Sequence, residues 1–290
     1  MRVAGNKLKH IIDFFNTELG GTFPSGEIEA MLSFAVETVL GFSKTQLLQK
    51  IEENINQSDL LKLYDCAKGL KKNIPLQYLL GETIFYDLKF KVNEHVLIPR
   101  PETEELVDMV LKENKTASSL LDIGTGSGCI PITFKKNLPH SEVLACDIST
   151  EALSLAKRNA EINNSPVHFF EANVLEDGQV EKKAAKTFDI IISNPPYIKK
   201  SEKKQMHPNV LDHEPHLALF VSGPDAIIFY KKIVDLCANA LAKKGKLYFE
   251  LNPLTANEVD AYAKASGLFE TTYLIKDMSG ALRFLKAVKN

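Results

Sequence analysis

Three short stretches carry residues whose types and spacing can do chemistry. In "DIIISNPPY" an apolar β-branched run ends in Asn194-Pro195-Pro196-Tyr197. The asparagine amide offers one carbonyl acceptor and one NH₂ donor. The carbonyl of Pro195 adds a second acceptor, and proline brings no N–H to compete for it. Two acceptors side by side can hold both hydrogens of one NH₂ group whose lone pair is delocalised into a neighbouring carbonyl or ring. Held this way, the nitrogen turns toward pyramidal geometry and its lone pair is aimed at an electrophile. No strong general base is needed, because the nitrogen becomes acidic as the new bond forms. Orientation and stabilisation of developing charge can together contribute several kcal/mol. Tyr197 offers a flat face to the target or to a cofactor. Taken alone, N-P and P-P dipeptides are also ordinary strand-ending punctuation.

The second stretch, "LLDIGTGSGCI", sets Gly124, Gly126 and Gly128 around Thr125 and Ser127, directly after an apolar strand pattern. Glycines there permit a sharp turn and close approach of a ligand to the backbone, although a tight turn needs glycine with no ligand present. The third is "EVLACDI", which ends in Asp147, nineteen residues after Gly128. An acid at that place can accept both ribose hydroxyls of an adenosine-containing ligand. Asp147 could instead cap the next helix, a role Ser149 can also fill. A dinucleotide fingerprint counted from Gly124 would need glycine at position 129, where Cys129 stands. The lysine and hydroxyl residue of a phosphate-cradling P-loop are missing too. A ligand without a pyrophosphate fits better: S-adenosylmethionine, with Asp122 and the loop amides meeting its amino acid part. NAD is the lesser option.

These stretches need a scaffold that brings them together. Beyond about residue 115, strand patterns ("SLLDI", "EVLACDI", "VHFFEAN", "FDIIISN", "GKLYFEL") alternate with helical ones, which predicts a mostly parallel, doubly wound α/β sheet. A long helix is expected from Pro224. "FETTYLI" and "LRFLKAV" are separated only by "KDMSGA", too short for a parallel crossover, so an antiparallel edge hairpin is expected. Ligands of such a sheet sit outside the carboxyl ends of its strands. If "FDIIISN" lies beside the first strand, Asn194 emerges next to the glycine loop.

Ahead of the sheet, residues 1–73 show three-four apolar spacing and predict a small helical bundle. Helices are expected over Leu8–Leu19, after Pro24-Ser25, from Ser43 with Gln46 completing a capping box, and after Ser58 with Leu60, Leu61, Tyr64 and Ala67 inward. Residues 74–100 are expected to form a β-hairpin linker with Asp87 as a turn candidate, and 101–290 the catalytic domain. Arg100 and Glu102 are expected to pair across the junction between the hairpin and that domain.

Composition narrows the function classes. A net charge of −2 and a pI of about 6.4 give no global case for a nucleic-acid or membrane binder. No apolar run approaches the roughly 20 residues of a membrane span, and the N-terminus lacks signal-peptide character. Cys66, Cys129, Cys146 and Cys237 are scattered, which predicts reduced thiols in a soluble cytoplasmic protein and no zinc site. His207, His213 and His216 lie near Asp212 and Glu214, but two prolines interrupt the segment and no i, i+4 histidine pair exists, so no metal is expected.

The chain resembles the bacterial peptide chain release factor glutamine methyltransferases. The resemblance runs over nearly its whole length, through "PLQYLLGETIFYDLKFKV", "VLIPRPETEELV", "LLDIGTGSGCI", "ACDIS", "ISNPPYI", "HEPHLALFVSGPDAIIFYKKI" and "GKLYFEL". It implies a class I S-adenosylmethionine-dependent methyltransferase domain behind a helical substrate-recognition domain. The substrate implied is the glutamine amide in the Gly-Gly-Gln motif of class 1 release factors. By position, Gly124 to Gly128 and Asp147 would bind the cofactor, and Asn194, Pro195, Pro196 and Tyr197 would hold the target. "EANVL" matches the adenine pocket and places Asn173 and Val174 there, where the family often has an aspartate and an aromatic. Ala226 stands where the family tends to have glycine. A related enzyme modifies a glutamine of a large-subunit ribosomal protein, and "NPPY" also occurs in enzymes that methylate exocyclic amines of DNA or RNA. A non-catalytic S-adenosylmethionine-binding adaptor would call for an altered clamp, and here the clamp is intact. The lysines of "IKKSEKKQ", Lys199, Lys200, Lys203 and Lys204, follow the clamp and suit docking of a protein partner.

Overall fold

The structure is a computed structural model and describes residues 5–199, 202–203, 207–221 and 223–290. The chain divides into two compact units, Met1–Glu82 with His207–His213, and Thr83–Met206 with Glu214–Asn290.

The first unit is helical: α1 (Leu8–Leu19), α2 (Ser25–Leu40), α3 (Lys44–Gln49), α4 (Gln57–Leu70) and α5 (Leu76–Leu80), together with the short helix Pro208–His213, which is α10 in chain order. One apolar face of each long helix closes a common core of Leu8, Ile11, Phe15, Leu32, Val36 and Leu63. The capping box at α3 forms as expected, with Ser43 Oγ accepting from Gln46 N–H and Gln46 Oε1 accepting from Ser43 N–H. At α4 the cap differs from expectation. Asn56 Oδ1 accepts from Asp59 N–H at 2.9 Å, so the helix starts two residues earlier, at Gln57, and Ser58 lies inside its first turn. Leu63, Cys66, Ala67 and Leu70 are buried, Leu60 and Tyr64 pack half-buried against the same core as expected, and Leu61 instead points to solvent, 54% exposed.

The second unit opens with the hairpin β1 (Glu82–Phe85) and β2 (Leu88–Lys91), which turns at Tyr86 and Asp87, both at positive φ (49° and 61°). Paired left-handed residues match the twist of a two-residue hairpin turn. Phe85 and Phe90 meet edge to face at 6.0 Å beneath it. After α6 (Pro101–Glu113), strands and helices alternate: β3 (Ser119–Ile123), α7 (Cys129–Asn137), β4 (Glu142–Asp147), α8 (Thr150–Ile162), β5 (His168–Glu171), α9 (Gln179–Ala184) and β6 (Phe188–Ser193). Then follow α11 (His216–Leu219), α12 (Ile228–Ala240), β7 (Leu241–Glu250), α13 (Ala256–Ala265), β8 (Phe269–Lys276) and β9 (Leu282–Lys289). The helix expected from Pro224 begins four residues later, because Asp225 first closes a turn by accepting from Ile227 N–H at 3.1 Å.

The sheet order is β5-β4-β3-β6-β7-β9-β8. Its first five strands run parallel, and β9 is antiparallel to both β7 and β8, as the short "KDMSGA" connection requires. The central strands are apolar on both faces, which a parallel sheet covered by helices demands. Leu121, Ile123, Ile191, Leu247 and Phe249 enter one core layer, and Leu120, Ile190, Ile192 and Tyr248 enter the other. Strand order reverses between β3 and its two neighbours β4 and β6. The crevice at their carboxyl ends is therefore the expected ligand site of this architecture.

Candidate active site

Strand register sets the site. Ile123 pairs with Ser193 on one side and with Cys146 on the other, and Asp147 pairs with Glu171. The residues that follow, Gly124, Asn194, Asp147 and the 172–174 segment, therefore leave the sheet in one row. Backbone bonds hold the row: Gly124 and Thr125 N–H donate to Cys146 O at 2.9 and 3.0 Å, and Ala172 N–H donates to Asp147 O at 2.9 Å. Ser193 Oγ donates to Ile123 O at 2.6 Å and locks β6 to β3 at their ends.

The row lines a cavity of about 460 Å³. It brings together Gly124, Thr125, Gly126, Ser127, Asp147, Asn173, Val174, Asn194, Pro195 and Pro196. Asp122, Gly128 and Tyr197 stand outside its lining. A Cβ on Gly124 or Gly126 would meet nothing within 4 Å, so the loop leaves open room on the cavity side. At Gly128 a Cβ would come within 2.9 Å of Ile132 Cδ1 and 3.1 Å of Ala156 Cβ, so this glycine serves the close packing of α7 against α8.

Two acids flank the loop. Asp147 Oδ2 accepts from Gly126 N–H at 2.8 Å and Oδ1 from Ser149 N–H at 3.0 Å. The carboxylate is thereby fixed and keeps acceptor capacity on both oxygens. Its carboxyl is raised by burial, against the pull of these amides. The cap of α8 falls to Ser149, whose Oγ accepts from Ala152 N–H at 3.1 Å. Asp122, near the end of β3, is fully buried with no well-formed hydrogen bond to either oxygen, and burial pushes its carboxyl up to about 7, with the adjacent Thr125 hydroxyl lowering it and Asp147 adding to the push. A carboxyl buried this deeply with so little hydrogen bonding is rare in proteins and calls for an explanation.

Asn173 Oδ1 accepts from Leu175 N–H at 3.0 Å and its Nδ2 donates to Glu176 Oε1 at 3.2 Å, so the side chain holds its own turn while bordering the cavity. Val174, half-buried beside it, packs on the core. The Tyr197 ring likewise packs against the core, and its carbonyl accepts from Asn252 Nδ2 at 3.3 Å. Burial and the nearby Glu250 raise its phenol well above the usual range.

Several residues that shape the site carry no sequence signal of their own. Arg100 was expected to pair with Glu102 across the junction. It instead donates to Glu214 Oε1 at 2.6 Å, and Ile98 N–H donates to Glu214 Oε2 at 3.4 Å. This pair ties the cavity-lining Val96–Arg100 segment to Pro215, His216, Leu217 and Ala218, which line it too. A parallel bridge between Ile198 and Phe220 ties the latter segment to the clamp. Asn159 on α8 donates to Ser127 O at 2.9 Å and exchanges hydrogen bonds with Lys91, joining the glycine loop to the hairpin. Asn194 Nδ2 donates to Thr103 Oγ1 at 3.3 Å, and Thr103 donates to Glu250 Oε2 at 2.7 Å. Of the docking lysines, Lys200 and Lys204 lie outside the described residues. Lys203 Nζ sits 4.7 Å over the Phe220 ring. Among the described residues no group of three or more His, Cys, Asp or Glu is arranged to hold a metal, and no helix is long and apolar enough to cross a membrane.

Comparison with known proteins agrees with this layout. Residues 102–217 match the family model "Methyltransferase small domain". The crystal structure of a methyltransferase from Pyrococcus furiosus superposes with a TM-score of 0.53 at 22% identity, covering 71% of this chain and 90% of that one, a likeness of fold. The release factor glutamine methyltransferase of Flavobacterium psychrophilum is 43% identical over 94% of this chain and 95% of its own length. That of Bacteroides thetaiotaomicron is 38% identical over 97% and 99%. On fold and on sequence over nearly its full length, the chain belongs to the release factor glutamine methyltransferase family.

Proposed function

We propose that this chain moves a methyl group from S-adenosylmethionine to the side-chain amide nitrogen of a protein glutamine, that of the Gly-Gly-Gln motif in class 1 peptide chain release factors. The observation that carries the reading is the register of β3 with β6, which sets the Asn194 clamp beside the glycine loop in one cavity. The names of the relatives supply the substrate class.

The residues fit the cofactor. Open space over Gly124 and Gly126 admits it, the fixed Asp147 carboxylate meets ribose hydroxyls, and Asp122, buried behind the loop and outside the cavity lining, would favour the ammonium of its amino acid part through its charge. Asn173 and Val174 border the adenine. Once bound, S-adenosylmethionine supplies an electrophilic methyl on a sulfonium. The protein's part is orientation. Asn194 Oδ1 and the Pro195 carbonyl accept the two hydrogens of the target NH₂, and Pro196 and Tyr197 stiffen the segment. Charge that develops on nitrogen is shared with these two acceptors until the proton leaves. Residues 1–73 serve as the recognition domain for the protein substrate, 74–100 as the linker and 101–290 as the catalytic domain. A reaction on release factors belongs to the cytoplasm and involves neither a membrane nor direct binding of nucleic acid.

The test is transfer of labelled methyl from S-adenosylmethionine to release factor, ribosomes, DNA or RNA, with the label located by mass spectrometry. Label on the release factor glutamine supports the reading. Label only on ribosomal protein or nucleic acid overturns it. Asn194→Ala abolishes transfer and leaves cofactor affinity largely intact.

A further inference from the structure

An asparagine amide can face a substrate with either end, and only its carbonyl end can accept hydrogens from a target NH₂. Which end of Asn194 faces the cavity is decided by what the other end touches. That partner is Thr103 Oγ1, 3% exposed in the first turn of α6. Thr103 has one hydroxyl hydrogen, and it is given to Glu250 Oε2 at 2.7 Å. Glu250 closes β7, which lies beside β6, and is 1% exposed. An ionised carboxylate has no hydrogen to return, so Thr103 can present only lone pairs to Asn194. The NH₂ of Asn194 must take that side, and its carbonyl is left for the cavity.

We propose that Thr103 and Glu250 are a positioning pair that fixes the Asn194 amide with its carbonyl toward the acceptor nitrogen, and so make the site select an NH₂-bearing acceptor. The proposal deepens the glutamine-methylation reading and rests on it. Around Glu250 stand Arg283 of β9, Arg100 and Glu102 at the start of α6, and Tyr197 after β6. Tyr230 of α12 donates its hydroxyl to the Glu250 backbone carbonyl at 3.0 Å. Burial pushes the Glu250 carboxyl up to about 7, with Glu102 raising it and Thr103, Arg283 and Arg100 lowering it. Protonation turns Glu250 into a donor toward Thr103. The Thr103 hydrogen is then free for the Asn194 carbonyl, the amide turns over, and an NH₂ meets an NH₂ in the cavity. Methyl transfer therefore falls as pH drops through about 7.

The experiment compares the wild type with Thr103→Val, Thr103→Ser, Glu250→Gln and Asn194→Ala. It measures kcat and KM for methyl transfer to a release factor and, separately by calorimetry, affinity for S-adenosylhomocysteine. Thr103→Val lowers kcat roughly 10–100-fold and changes nucleoside affinity by less than about 2-fold. Thr103→Ser, which keeps the hydroxyl, restores kcat to within about 3-fold of wild type. Glu250→Gln, which cannot titrate, loses the fall in kcat between about pH 8 and about pH 6. Wild-type kcat in Thr103→Val overturns the positioning role while Asn194→Ala is inactive. So does a loss that Thr103→Ser does not rescue, or one matched by lost nucleoside affinity. A fully active Asn194→Ala overturns the clamp reading itself.

Discussion

Replacing Gly124 and Gly128 with alanine, one at a time, separates ligand contact from packing within a single loop. Both residues sit in the left-handed region, at φ 78° and 80°, where a Cβ costs about 1–2 kcal/mol. Gly128→Ala carries a second burden. Its Cβ would lie 2.9 Å from Ile132 Cδ1, 3.1 Å from Ala156 Cβ and 3.4 Å from Ala156 Cα. Ile132 Cδ1 is the far end of a flexible side chain, but Ala156 Cβ is fixed to the α8 backbone and yields only if the helix shifts, and overpacking of this kind adds about 1–3 kcal/mol. The combined loss is about 2–5 kcal/mol. For a unit of this size each kcal/mol is about 2–4 °C, so its Tm falls by roughly 4–20 °C. Gly124→Ala meets no atom within 4 Å, so only the backbone strain remains. About 0.4–1 kcal/mol of that is returned by the stiffer unfolded chain. Its methyl, however, enters the space reserved for the cofactor and weakens binding by roughly 10-fold or more, about 1.4 kcal/mol. The assay is a melting curve of each variant paired with calorimetric titration of S-adenosylhomocysteine. Gly124→Ala binding as tightly as wild type would remove the loop from the cofactor site. Gly128→Ala melting like wild type would refute the packing account.

Arg100→Ala leaves the Glu214 carboxylate, 1% exposed, without its cation. Breaking a fully buried pair costs about 3–5 kcal/mol, and the one-third exposure of Arg100 brings this to about 2–3. Faster amide exchange over 215–221 and a higher KM for the protein substrate are expected, and Glu214→Gln in the same background recovers part of the loss; unchanged exchange would refute the tie. For Asp122 the folded pKa is raised above the unfolded value, so the folded state binds the extra proton between them. Its unfavourable contribution therefore grows as pH rises from about 4 to about 7. Asp122→Asn makes the ligand-free protein melt higher at pH about 8 and bind the cofactor more weakly, and a variant with the wild-type pH profile would exclude this origin. Neutralising Lys199, Lys200, Lys203 and Lys204 weakens binding of the protein partner and spares cofactor affinity, and unchanged partner affinity by titration would count against the docking role.

The apolar runs alternating with helical patterns are enough to read the parallel sheet, because strands covered by helices on both faces are largely apolar, as Leu120-Leu121 and Ile190-Ile191-Ile192 are. The glycine loop, Asp147 and the Asn194 tetrapeptide were legible because each is an unusual residue type at the end of such a run. The α4 cap is not legible in the sequence, since Asn56 and Ser58 are both competent caps and only backbone geometry selects Asn56. The sequence suggests a near neighbour for Arg100, whereas its partner Glu214 lies 114 residues away.

What the sequence determined by itself is the set of parts: local periodicity, turn residues and the chemical kinds at strand ends. Those properties are set by a few neighbouring residues, so they survive without knowledge of the fold. Which end of the Asn194 amide faces the cavity, how deeply Asp122 is buried, and which loop is tied down by Arg100 depend on residues far apart in the chain. Thr103, Asn194 and Glu250 meet because α6 starts where β6 and β7 end, at the carboxyl ends of the strands. Only tertiary packing decides that, because hydrogen bonds of about 3 Å reach bind whatever the register brings within range.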